Sequence, residues 1–259
     1  MTTVAWLPLV LGLASVSACA SASSSTGPQD SPPAESDAPI DTPAIDGNTC
    51  TTQPCDIQPQ CGCSTTQACD IDFSDLMGTA CRNKVDTGVE GTACTGSAPQ
   101  VKCAANYVCL GTGQERACGR YCTSDTDCLA PRGQCVFELS SGGMPIAPGA
   151  TACSSNCDPA AATNPLCPTN WTCDLFTATY MGASKQIADC RVAGTAVQGA
   201  TCSSTVRCAA GFTCVTQGTA MKCAKICKPP VNTGCPASTT CLGFTTAFSV
   251  GGTEYGACL

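Results

Sequence analysis

The sequence predicts a small disulfide-rich fold class, mostly short β-hairpins and loops, built as tandem cysteine-knuckle repeats behind a disordered tether. Three observations carry that prediction. Cysteine fills 27 of 259 positions, while aromatic residues make up 5% and charged residues 12%. Too few large apolar side chains remain for a conventional interior. Cysteine at this density in an exported chain reads as a disulfide framework, each bridge contributing roughly 2–4 kcal/mol by restricting the unfolded chain. Second, a five-residue loop between cysteines recurs, with an aromatic two positions before the closing one. It reads CAANYVC at Cys103–Cys109, CPTNWTC at Cys167–Cys173 and CAAGFTC at Cys208–Cys214, with looser copies at Cys63–Cys69 and Cys235–Cys241. Third, Thr, Val, Phe and Tyr flank the cysteines in short alternating runs between Gly, Pro and Asn, which favours strands of about three to five residues.

The recurrent loop has a physical reading. In an extended strand residues i and i+2 share a face, so Tyr107, Trp171 and Phe212 are expected beside the cysteine that follows each, packed on a disulfide. Asn106, Asn170 and Gly211, just before the aromatics, suit a tight bend with positive φ.

Taken in order, residues 1–18 form one apolar run ending in small residues, the pattern of a secretory signal; it is too short and wrongly flanked for a spanning helix. Residues 20–49 are Ser, Pro, Ala and Asp with no apolar periodicity, so 19–49 is expected to be an extended tether. Within it stand Asp30, Glu35, Asp37, Asp41 and Asp46 with no Lys or Arg, which leaves the cysteine-rich remainder near neutral at fourteen acids against twelve bases.

From residue 50 onward the cysteines repeat. A five-cysteine register fits Cys50, Cys55, Cys63, Cys69 and Cys81; then Cys118, Cys122, Cys128, Cys135 and Cys153; then Cys153, Cys157, Cys167, Cys173 and Cys190; and lastly Cys223, Cys227, Cys235, Cys241 and Cys258. The second and third copies share Cys153, so at least one of them must pair differently from an isolated copy. A shorter unit, Cys94, Cys103 and Cys109, recurs as Cys202, Cys208 and Cys214. Cys61 lies beside Cys63 in the one Cys-x-Cys pair, against the repeated pairs of a metal-storage chain. Two similar joints, Cys81-Arg82 through Gly91 to Cys94 and Cys190-Arg191 through Gly199 to Cys202, argue for internal duplication. They divide the chain into modules 50–93, 94–190 and 191–259, holding six, twelve and eight cysteines. Each number is even, so each module can close its own bridges, and connectivity stays open.

The chain has no histidine. That removes the usual general base, the Ser-His and Cys-His nucleophile pairs and mixed Cys/His zinc sites. A net charge of −7 disfavours a nucleic-acid partner. No catalytic residue, metal site or cofactor is assigned. Asp70, Asp72 and Asp75 gather three carboxylates that suit Ca²⁺, but the glycine and closing Glu of an EF-hand loop are missing and such clusters are usually solvated. Lys222, Lys225 and Lys228, spaced by three, read as a solvated edge or as a cationic contact for an acidic polysaccharide. Asn170-Trp171-Thr172 matches a glycosylation sequon, which matters only in a eukaryotic secretory route. Asp72 to Met77 and Phe176 to Ile187 have some helical look, and 136–152 and 174–189 are expected as exposed loops.

Val16-Ser17-Ala18-Cys19 resembles the lipobox of bacterial lipoproteins, although no Lys or Arg precedes the apolar run. The resemblance implies that the Cys19 thiol forms a thioether to diacylglycerol and becomes the mature N-terminus, a lipid anchor in the membrane. Ala20 behind it is similar to the signal for outer-membrane sorting. An ordinary signal peptidase site at Ala18-Cys19-Ala20 is the alternative, and it gives a secreted protein. The segment Cys122-Thr123-Ser124-Asp125-Thr126-Asp127-Cys128 resembles part of the small Dickkopf-like and whey-acidic-protein-like domains, which implies receptor antagonism or protease inhibition. Leader, tether and tandem knuckles together resemble the cysteine-rich outer-membrane lipoproteins of myxobacteria and related predatory bacteria. That resemblance implies a structural or binding role at the cell surface toward protein or polysaccharide. The alternative is a secreted peptidase inhibitor.

Overall fold

The computed structural model describes residues 50, 54–72, 77–94, 103–112, 115–141, 144–146, 149–161, 163–232 and 234–259. The leader, Cys19, the tether and Asp75 lie outside the described residues. The strands in order are β1 (Gln67–Ile71), β2 (Thr79–Asn83), β3 (Tyr107–Thr112), β4 (Glu115–Cys122), β5 (Cys135–Glu138), β6 (Ser140–Ser141), β7 (Met144–Pro145), β8 (Thr151–Cys153), β9 (Trp171–Tyr180), β10 (Ala183–Val192), β11 (Phe212–Gln217), β12 (Ala220–Cys227), β13 (Cys241–Val250) and β14 (Thr253–Cys258). One 3-10 turn, Asp125–Asp127, accompanies them. All strand pairs of the sheets are antiparallel, as the disulfide-rich hairpin class requires.

One rule organises the bridges. Six successive groups of four cysteines each join first to third and second to fourth. They are Cys55–Cys69 with Cys63–Cys81, Cys94–Cys109 with Cys103–Cys118, and Cys122–Cys135 with Cys128–Cys153. Then come Cys157–Cys173 with Cys167–Cys190, Cys202–Cys214 with Cys208–Cys223, and Cys227–Cys241 with Cys235–Cys258. Cys50–Cys61 is an additional bridge on the first group. The physical basis is strand register. In every group the third and fourth cysteines sit directly opposite each other across a hairpin, as Cys69↔Cys81, Cys109↔Cys118, Cys135↔Cys153, Cys173↔Cys190, Cys214↔Cys223 and Cys241↔Cys258. Opposed residues of an antiparallel pair share a face. Their two sulfurs therefore lie side by side, and each takes a different cysteine from the loop ahead of the hairpin.

This corrects the five-cysteine register. Cys118, Cys153 and Cys223, read from spacing as the heads of copies, are the closing cysteines of the preceding knuckle, because only they face a third cysteine across a hairpin. Every bridge also falls inside 50–93, 94–190 or 191–259. Strand lengths are corrected as well. β9, β10 and β13 each run to ten residues. Segment 174–189 is thus a long hairpin, not an exposed loop, and Phe176 to Ile187 is strand, not helix. Its turn uses Met181 and Gly182 at φ 49° and 76°, and the β13–β14 turn uses Gly251 and Gly252 at 58° and 74°. Two successive positive φ angles match the right-handed twist of paired strands. The expected loop 136–152 likewise carries β5 to β8.

The knuckles assemble in threes. β3–β4–β8–β5 form one four-stranded sheet and β11–β12–β14–β13 another, while β1–β2 and β9–β10 remain separate hairpins. Residues 55–153 and 157–258 are therefore two copies of one triad: a lone hairpin followed by a two-knuckle sheet. Their cores correspond. Ile71, Tyr121 and Ala152 in the first match Leu175, Ile226 and Ala257 in the second, counted from the same cysteines, and all six are buried. The β9–β10 hairpin of the second triad lies between the two four-stranded sheets. The Gln186 carbonyl accepts from Gln134 Nε2 at 2.8 Å, while its side chain donates to the Ala247 carbonyl at 2.9 Å and accepts from Ser249 N at 2.8 Å.

Candidate binding groove

The charged residues singled out in the sequence mostly hold knuckles together. Asp70 is buried and engaged by the Arg82 guanidinium and the Tyr121 hydroxyl, so it is not a solvated member of a calcium cluster. Burial pushes its carboxyl above the ordinary value of 3.8, with Arg82 and Tyr121 acting against that rise. Arg82 also donates to the Cys103 carbonyl at 2.9 Å, clamping the first knuckle to the second. The second triad repeats the device: Arg191 holds buried Asp174 at 2.5 Å and donates to the carbonyls of Cys208 at 3.0 Å and Phe212 at 2.8 Å. A signal for this clamp was present in the sequence: in the lone hairpin of each triad an Asp follows the third cysteine and an Arg the fourth, as Asp70 with Arg82 and Asp174 with Arg191.

In the 122–128 segment, Asp127 accepts from Thr123 N at 2.8 Å and Ser124 N at 3.0 Å, and Asp125 accepts from Cys135 N at 2.8 Å and Lys185 at 2.9 Å. Partial burial works toward a higher pKa for both, and these donors outweigh it, so both carboxyls lie below their ordinary value. The lysine trio does not form one edge. β12 alternates faces, which separates Lys222 from Lys225. Lys228 lies beyond the strand, paired with Asp158 at 2.6 Å in a network that links Asp158 to Arg132 at 3.2 Å and to the Tyr255 hydroxyl at 3.1 Å.

The aromatic loops take up the expected bends. Asn106, Asn170 and Gly211 have φ of 71°, 67° and 77°. Ser238, at the same place in the last knuckle, has 69°. Tyr107 and Phe212 pack against the bridged cysteines of their own knuckles. Trp171 departs from that pattern. It is half-buried, takes no part in the buried cluster around Cys173, and lines a cleft of about 470 Å³. Pro165, Pro168, Asn164 and Asn170 stand beside it in the wall. A second cleft of similar size, with Phe212, Lys225 and Lys228 in its lining, adjoins the first and shares Ala161, Ala210 and Gly211 with it.

The duplication explains why this groove lies in the second triad. Gly211 lacks a side chain, and a Cβ placed there would meet nothing within 4 Å. Its counterpart in the first triad is Asn106, whose Oδ1 is buried without a partner. Trp171 has Gln67 as its counterpart, tied to Ser64 at 2.9 Å. Spacing singled out Trp171, Gly211, Phe212 and Lys225 one by one; their convergence, and the contribution of Asn164 and the two prolines, depends on how the fourth knuckle meets the fifth.

These features define a tandem disulfide-knuckle protein with one four-cysteine unit used six times. Thirteen disulfides belong to an oxidising compartment, extracellular or within the cell envelope. Among the described residues no helix is long and apolar enough to cross a membrane. No protein-family model, no curated protein and no solved structure matches the chain.

Proposed function

We propose that this protein is a surface-displayed, disulfide-stabilised lipoprotein, anchored through Cys19 in the outer membrane, with a structural or binding role toward extracellular protein or polysaccharide. One observation carries the reading. The residue types that normally perform chemistry are engaged in the scaffold: the cysteines from Cys50 onward are bridged and Asp70, Asp125, Asp127, Asp158 and Asp174 hold backbone or cations, while the groove beside Trp171 stays open. A stapled scaffold with an open groove suits holding a partner. The secreted-inhibitor alternative draws on the 122–128 segment, in which Asp125–Asp127 form a 3-10 turn and Asp127 holds the Thr123 backbone.

The test is the intact mass of the protein purified from its native host, non-reduced and with thiols blocked. A diacyl or triacyl increment on a chain starting at Cys19, with no thiol label, is the expected result. An unmodified chain starting after Ala20 would remove the anchor and bring the secreted inhibitor forward.

A further inference from the structure

We propose that the groove running from Trp171 to Lys225 binds an anionic polysaccharide, with an uncharged sugar face on the Trp171 ring and a carboxylate or sulfate at Lys225. This names the ligand class for the binding role above and rests on that reading.

Two residues of the groove are not needed by the scaffold. The first triad builds the same hairpin with Gln67 where the second has Trp171, and with Asn106 where the second has Gly211. Neither the large aromatic nor the missing side chain is required for the knuckle to close. The indole N–H makes no hydrogen bond within the described residues, and Trp171 stays half-exposed at the groove wall. A tryptophan with an apolar face and a free donor suits a ligand that is apolar on one side and hydroxylated at its edge. The donors and acceptors beside it are neutral: the exposed Thr169 hydroxyl, the exposed Asn170 amide, and the Asn164 amide nitrogen, whose oxygen alone is engaged, by Asp158 N at 3.0 Å. Hydroxyls exchange hydrogen bonds with such groups, and the C–H face of a pyranose lies on an aromatic ring.

The adjoining half supplies charge. Phe212 and Lys225 are opposed in register across β11 and β12, which brings the ammonium to the groove beside the ring. Lys228 is neutralised by Asp158, and Lys225 has no ion pair among the described residues. The occupant that matches a neutral aromatic subsite next to one free cation is a polymer alternating uncharged sugar faces with sparse anions. A groove open along its length, not a closed pocket, admits a long chain.

Trp6 and Trp171 are the two tryptophans of the sequence, and Trp6 belongs to the leader removed on export, so the fluorescence of the exported protein is a direct probe of the groove. The exported protein is titrated with a hyaluronan oligosaccharide, which carries a carboxylate on alternate sugars, a κ-carrageenan oligosaccharide, which carries a sulfate on alternate sugars, and, as neutral control, a cello-oligosaccharide. Saturable change with a carboxylated or sulfated probe is expected, weakening as salt rises, and whichever probe binds identifies the anion. Gly211→Asn is the key variant: Asn106 adopts the same positive φ in the first triad, so the fold is kept while the groove is filled. That change and Trp171→Ala, followed by calorimetry, are each expected to weaken binding about tenfold or more, and Lys225→Ala to abolish the preference over the neutral probe. No response to either acidic probe overturns the proposal, as does full affinity in G211N with all bridges formed. The acyl mass on Cys19 is read separately, so failure here leaves the display reading to be judged by that measurement.

Discussion

The two triads share the same six crossed bridges but differ at the surface those bridges expose. In the first, Gln67 is tied to Ser64 and Asn106 fills the bend; in the second, Trp171 and Gly211 open the same place into a groove. The first carries the additional Cys50–Cys61 bridge at its N-terminal end, and the second carries the hairpin of two ten-residue strands that reaches between the two sheets. Duplicated scaffolds separate tasks in this way. What is common to both copies, the crossed bridges and the Asp–Arg clamp, belongs to folding. What differs is available for attachment and recognition.

The largest expected difference between the copies lies in their bridges. Replacing Cys157 and Cys173 together by Ala is expected to cost about 2–4 kcal/mol, read as a shift in the guanidinium midpoint at constant slope. The equivalent change at Cys55 and Cys69 should cost less, because Cys50–Cys61 still closes the first knuckle. Equal losses would mean that the additional bridge contributes nothing to that knuckle.

The clamp comes next. Arg191→Ala leaves Asp174 buried without its cation, an expected loss of about 3 kcal/mol. Arg82→Ala should cost less, since Asp70 keeps the Tyr121 hydroxyl and burial already favours its protonated form. The sign follows from that upward shift. The protonated Asp70 contributes stability fully below its unfolded value, and loses it as pH rises through the higher folded value. The R82A deficit should therefore shrink on acidification toward pH 3.8. A deficit that grows on acidification would contradict the assignment.

The smallest effect sits at the joints. Gly91 and Gly199 both have φ of 77° and both donate to the closing cysteine of the next knuckle, at 3.1 Å to Cys118 O and 2.8 Å to Cys223 O. Gly199→Ala meets open space and should cost only the left-handed strain, about 1–2 kcal/mol. A Cβ on Gly91 would lie 2.0 Å from the Leu166 carbonyl of the second triad, so Gly91→Ala should cost more. Thermal unfolding of the two variants side by side decides this.

These particulars also mark what the sequence made legible. The hairpin class and the positive-φ bends were readable, because a bend residue three before a cysteine constrains a short stretch on its own. The joints were readable too, as paired runs around Gly91 and Gly199. The connectivity was not, since Cys118, Cys153 and Cys223 have neighbours on both sides at workable spacing, and only strand register separates closing from opening. The length of β9–β10 was hidden because no residue of its distal half is buried: exposed Thr177 and Thr179 alternate only with half-buried Ala178 and Tyr180, and Ala183 and Ser184 are both exposed, so no apolar period marks it. The groove was hidden for a different reason, as its walls come from separate knuckles.

The crossed pairing bears on how the chain is made. Each cysteine finds its partner within 25 residues, so a knuckle can be oxidised soon after it emerges during export. Oxidation in order of emergence, however, joins each new thiol to the one just before it, whereas the native unit always skips one. Bridges formed in that order would have to exchange partners in each of the six units before the hairpins lock, so an isomerase is expected to raise the yield of native protein in any host.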